Sequence, residues 1–183
     1  KIATFSKASA DHTLMGRFGN TMLVNGETNY SLQVKAGEVI RFYITNSANT
    51  RTFNLSIPGA KMKLVGADGG KYERETWSDG FILSPSERAI VEGLFANAGS
   101  YKLEHKTPER AYELGTIVVT SEKVVTSFEK EFAVLRRNKD IQSEIDTFRS
   151  SFNKPASKRL KLTIDMGMDM QGMMQNNAGG HNM

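Results

Sequence analysis

Five of the chain's nine methionines, Met166, Met168, Met170, Met173 and Met174, fall within nine consecutive residues near the C-terminal end, and His181 follows. Thioethers are soft, neutral donors that suit cuprous ion and not hard cations. In an extended segment side chains repeat every two residues, so Met166, Met168 and Met170 point to one side. Met168, Met170, Met173, Met174 and His181 are therefore a candidate Cu(I) donor set. Two blander readings stand beside it. Met166 continues the alternation of Leu162 and Ile164, with Asp165 and Asp169 opposite, as a packed strand would, and methionine is a common gap-filler in cores. The run "QGMMQNNAGGHNM" is otherwise polar and Gly-containing, as a flexible linker with incidental methionines would be.

Other chemistries are more easily bounded. The chain has no cysteine and three histidines, His12, His105 and His181. Disulfides, zinc–thiolate sites, iron–sulfur ligation, thiol nucleophiles and a blue copper site are all excluded within it. His105 ends the run "GSYKLEH", where Tyr101, Leu103 and His105 share a strand face; a satisfied or exposed strand-end histidine is expected over a metal ligand. No G-x-S-x-G elbow is present for a hydrolase. "GADGG" follows a strand but precedes no helical pattern, so it is a bend and not a phosphate cradle. The net charge is +4, and the basic clusters "RRNK" and "KRLK" have acids close by, with no aromatic-interleaved basic stripe. Nucleic-acid binding is not expected. No apolar run approaches the roughly 20 residues of a membrane span. A chain that starts at Lys1 reads as a processed product or an excised fragment.

The elements that must position such residues are mostly short strands. "EVIRFYITN" alternates Ile40, Phe42 and Ile44 with Arg41, Tyr43 and Thr45, and "TFNLSI" does the same with Phe53, Leu55 and Ile57. "TMLVNG", "SLQV", "MKLVGA", "GFILS", "RAIVEGLF", "SYKLEH" and "LGTIVVT" complete the series, separated by Gly- or Pro-containing breaks such as "NGE", "KAGE", "IPGAK" and "SPSE". Eight or nine strands at this spacing predict an antiparallel sandwich or barrel. Arg41, on a polar strand face, is placed to pair with a carboxylate. From residue 121 the period changes: Phe128, Phe132 and Leu135, then Ile141, Ile145, Phe148 and Phe152, mark two short helices, with Asp140 a candidate cap. "NKPASK" reads as a linker and "RLKLTIDM" as a further strand.

"MGRFGNTMLVNGE", "VKAGEVIRFYITNSANTRTFNLSI", "MKLVGADGG", "FILSPSERAIVEGLF" and "GSYKLEHKTPERAYELGTIVV" occur in that order over residues 15–120. Together they resemble the second cupredoxin-like domain of three-domain multicopper oxidases. The resemblance implies an all-β, antiparallel, cupredoxin-like Greek-key β-sandwich with a short helical appendage near the C-terminus. The expected organisation is a sandwich at 1–120, helical appendage and linker at 121–157, and terminal strand with Met-rich flexible tail at 158–183.

In that family copper is held by His-rich motifs in the first and last domains, and the blue copper cysteine lies in an H-C-H run in the last. The middle domain holds none and spaces the other two. The resemblance therefore implies a structural role for this chain and a copper-dependent parent enzyme that couples substrate oxidation to reduction of dioxygen to water. Neighbouring cupredoxin domains of the same parent chain would be its partners, in a periplasmic or extracellular setting. Several bacterial members carry Met-rich segments near the blue copper that handle cuprous ions, which favours the copper reading of the tail. A stand-alone Cu(I)-binding protein and a metal-free sandwich interaction module are the competing classes.

Overall fold

The structure, a computed structural model, describes residues 19–163. Nine strands form: β1 (Tyr30–Ala36), β2 (Glu38–Thr45), β3 (Phe53–Ser56), β4 (Lys61–Ala67), β5 (Gly70–Trp77), β6 (Phe81–Leu83), β7 (Arg88–Phe95), β8 (Gly99–Lys106) and β9 (Ala111–Lys123). They make a five-stranded sheet in the order β1-β9-β8-β3-β6 and a four-stranded sheet in the order β2-β7-β4-β5. All pairings are antiparallel except β1 with β9. The fold is the expected cupredoxin-like sandwich. Consecutive strands such as β1 and β2 lie in different sheets, so the alternation along each strand sends one set of side chains into a shared core. Val34, Leu55, Met62, Leu83, Val91, Phe95, Ile117 and Val119 fill it.

Turn chemistry sets the registers. Asn25 and Gly26 both have positive φ (53° and 86°), and Val24 and Glu27 exchange two backbone hydrogen bonds at 3.0 Å. This is the two-residue hairpin turn that Asn-Gly favours. The "TMLVNG" run forms only this isolated bridge and no strand. At "NSANTR", Asn46 donates from Nδ2 to the carbonyls of Arg51 (2.8 Å) and Leu83 (3.0 Å) and accepts from the Ala48 N–H, which ties the β2–β3 connection to β6.

After β9 come α1 (Glu129–Phe132), a single turn, and α2 (Lys139–Phe152). Asp140 does not cap α2. It is the second helical residue, and the Gln142 N–H bonds to the Asn138 carbonyl one position before the helix starts.

The chain divides into two compact units at Thr147 and Phe148. In the second, the described residues beyond the end of α2 carry no strand: the "RLKLTIDM" reading is not met over residues 159–163, where Leu160 and Leu162 are exposed. Alternation alone does not make a strand; a sheet edge must accept its backbone groups. No helix of the described residues is long and apolar enough to cross a membrane.

Candidate functional site

The outer face of the four-stranded sheet carries the densest chemistry among the described residues. Register places Arg41 of β2 opposite Glu92 of β7, Glu92 opposite Lys63 of β4, and Lys63 opposite Trp77 of β5. These four side chains cross the sheet in one row. Glu75, two residues from Trp77 on β5, shares that face.

Segment 129–138 covers the row. Phe132 at the end of α1 is buried, and its ring meets Trp77 edge-on at 5.2 Å between centroids. The Lys63 side chain is 0 % exposed. Its Nζ contacts Glu92 Oε2 at 2.9 Å and Glu75 Oε2 at 3.2 Å, and donates to the carbonyls of Phe132 and Val134, both at 3.3 Å. Arg136 donates from Nε to Glu75 Oε1 (2.6 Å) and from Nη2 to Glu92 Oε1 (3.0 Å). Arg41 closes the row, donating to Glu92 from Nη2 and, at 3.0 Å, from Nε.

Three cations thus pair with two buried carboxylates, Lys63 fully covered and Arg41 and Arg136 each about half exposed at the rim. Burial pushes the Glu92 carboxyl up, but the bonds from Arg41 and Lys63 and the charges of Lys63 and Arg136 reverse this, bringing it from 4.5 down to about 2. The carboxylate is ionised at all ordinary pH. A group so firmly ionised is a poor proton shuttle, so the cluster is built for holding rather than for acid–base work.

The same segment also finishes the sheet edge. The Asn138 N–H donates to the Glu73 carbonyl (3.0 Å), the Glu75 N–H to the Arg136 carbonyl (3.1 Å), and Asn138 Nδ2 to the Tyr72 carbonyl. Residues 136–138 therefore occupy the backbone groups of β5 that an edge strand would leave free.

His105 was expected to be a satisfied or exposed strand-end histidine, and it is satisfied. It is 5 % exposed, stacked on Tyr112 and edge-on to Phe53, and Nδ1 accepts the Asn54 N–H at 3.0 Å. Burial holds its pKa below the ordinary 6.5. With Nδ1 engaged, only Nε2 could turn to a ligand. No group of three or more His, Cys, Asp or Glu side chains suited to a metal occurs among the described residues. The donors present there do not fit a copper centre. Met168, Met170, Met173, Met174 and His181 lie outside the described residues.

The pairing of Arg41 with a carboxylate was legible in the sequence. Lys63, Glu75, Glu92 and Arg136 were not singled out. The available signal was a charge set among apolar residues in the interior of a strand, Lys63 in "MKLVGA" and Glu92 in "RAIVEGLF". Such a charge must be paired if its strand is covered on both faces.

Fold and site together define a cupredoxin-like domain whose described residues assemble no copper donor set. A family model described as multicopper oxidase matches residues 3–91. The laccase of Bacillus subtilis (strain 168) is 41% identical over 71 residues, which cover 38% of this chain and 14% of that protein. The multicopper oxidase of Campylobacter jejuni, described as a metallo-oxidase, superposes with a TM-score of 0.57 at 26% identity, covering 90% of this chain and 33% of that one. A multicopper oxidase from Pseudomonas thermotolerans superposes with a TM-score of 0.53 at 29% identity, covering 62% of this chain and 26% of the other. These likenesses support a multicopper oxidase family domain in this chain. The chain spans a third or less of these relatives' length.

Proposed function

We propose that this chain is the middle, spacer domain of a three-domain multicopper oxidase, contributing position and not copper chemistry. The observation that carries this reading is the pairing of the family's sandwich with a chain that has no cysteine and whose one described histidine spends Nδ1 on a backbone amide. In the parent enzyme, copper would accept electrons from substrate and pass them to dioxygen, giving water; the ligands for it would lie in neighbouring cupredoxin domains. The part of this chain is to hold those domains apart at a fixed spacing. Members of this kind work in the periplasm or outside the cell, and we assign the chain there.

A second, compatible role rests on the five methionines of residues 166–174: Cu(I) binding by Met168, Met170, Met173, Met174 and His181. One titration tests both. The purified chain given Cu(II) is expected to develop no intense blue colour and, with a reductant present, to consume no more oxygen than the same copper without protein. Either result, if positive, overturns the spacer reading. Given Cu(I) against a chromophoric chelator, the chain should compete, and joint replacement of the four methionines by Leu should abolish competition. Equal competition by the Leu variant removes the tail from copper handling and leaves the spacer reading intact.

A further inference from the structure

We propose that residues 129–138 form a strap that docks on the four-stranded sheet as a separable unit, with buried Lys63 as its anchor. The proposal is independent of whether the chain serves in an oxidase. It starts from what the strap contributes to the core, which is little. No strap residue belongs to the hydrophobic cluster between the sheets. Phe132 is the strap's one buried side chain, and it packs on the outer face of the sheet. Phe128, Val134 and Leu135, on or beside the strap, are exposed.

The strap is held by polar bonds that converge on a few groups of the sheet. The carbonyls of Phe132 and Val134, at the end of α1, lack helical partners and must find donors when covered. Lys63 Nζ supplies both. The Arg136 N–H and guanidinium take the Glu75 carboxylate, and the guanidinium also reaches Glu92. Lys63 thus grips the strap by its main chain while neutralising the carboxylates that grip Arg136. Its removal would leave two carboxylates under a cover that Arg41 and Arg136, each about half exposed, balance from the side. The chain can relieve this without unfolding the sandwich: the strap lifts and water reaches Glu75 and Glu92. Local openings of this kind follow from few apolar contacts and many peripheral bonds. The docked strap also fixes the start of α2, since Asn138, the residue before it, is bonded to β5 through backbone and side chain.

Trp77 is the chain's single tryptophan and lies under Phe132, so its emission reports docking directly. In the full 183-residue chain, Lys63→Met is expected to shift Trp77 emission to the red and to remove hydrogen-exchange protection at the Arg136 and Asn138 amides. Trypsin cleavage within residues 130–139 should become at least about tenfold faster, because cleavage follows the population of the opened strap. Far-ultraviolet circular dichroism and a single cooperative thermal transition should persist. Phe132→Ser, which alters the strap alone, should give the same signature. Should Lys63→Met not fold, Lys63→Met combined with Glu75→Gln and Glu92→Gln is read in its place. A strap that stays protected without Lys63, or a sandwich that melts together with the strap in the triple variant or in Phe132→Ser, overturns the proposal.

Discussion

Lys63 and His105 are both buried polar side chains in strands, yet they solve burial in opposite ways. Lys63 is enclosed by four acceptors, two carboxylates and two main-chain carbonyls. His105 gives its charge up, remaining neutral with Nδ1 as acceptor for the Asn54 N–H and its ring between Phe53 and Tyr112. The second solution predicts that His105→Phe keeps the ring packing but orphans the Asn54 N–H. Leaving one buried donor unpaired costs about 1–3 kcal/mol. The urea midpoint of the variant should fall accordingly, with an unchanged slope. An unaltered midpoint would show that the imidazole serves packing alone. For a ligand search the lesson is local: a histidine whose Nδ1 already faces a main-chain amide at 3.0 Å has half its donor capacity in use.

Among the elements, β5 was the one strand with no expectation behind it, and its physics explains why. "GKYERETW" offers no apolar alternation: Glu75 and Trp77 face the charged row, Glu75 being the strand's one buried residue, while Tyr72, Arg74 and Thr76 are exposed and Trp77 itself is only partly covered, at 36 % exposed. Binary patterning finds strands that bury oil, and this edge strand buries ions. The other strands were legible because Ile40, Phe42 and Ile44, or Phe53 and Leu55, alternate cleanly into the core. The helices were legible from their 3.6-residue period, though α1 closes after a single turn so that its carbonyls reach Lys63. The β4–β5 hairpin itself depends on Gly66. The register shifts there, and a Cβ at Gly66 would lie 2.6 Å from the Gly70 carbonyl oxygen and 3.2 Å from Ile90. Gly66→Val should therefore cost roughly 1–3 kcal/mol, the usual penalty of overpacking. Thermal melts would check it, and a stability equal to the parent's would mean that the bulge can migrate.

At the scale of the whole molecule, His105 and Glu92, two buried groups with lowered pKa values, predict how stability follows pH. His105 has a folded pKa below 6.5, so the unfolded chain binds the proton first as pH falls, and its contribution, complete above 6.5, is lost below it. Glu92 is lowered from 4.5 to about 2, so its contribution is complete above 4.5 and is lost as pH falls from 4.5 toward 2. Asp68, held down by Arg88, Glu109 by Thr107 and Glu113 by Lys102 titrate in the same acid window, but they face solvent. Salt weakens the charge pairs of Asp68 and Glu113, whereas the covered row of Arg41, Lys63, Arg136, Glu75 and Glu92 is screened far less. Urea midpoints of the whole chain in high salt should thus be level above 6.5, slope downward below it, and fall again below 4.5. The first slope should disappear in His105→Phe. The second should be accompanied by a red shift of Trp77 emission, since protonating Glu92 loosens the cover over that ring. Midpoints that stay level down to the acid limit, or that rise with acid, would show that neither group is buried in solution as it is here.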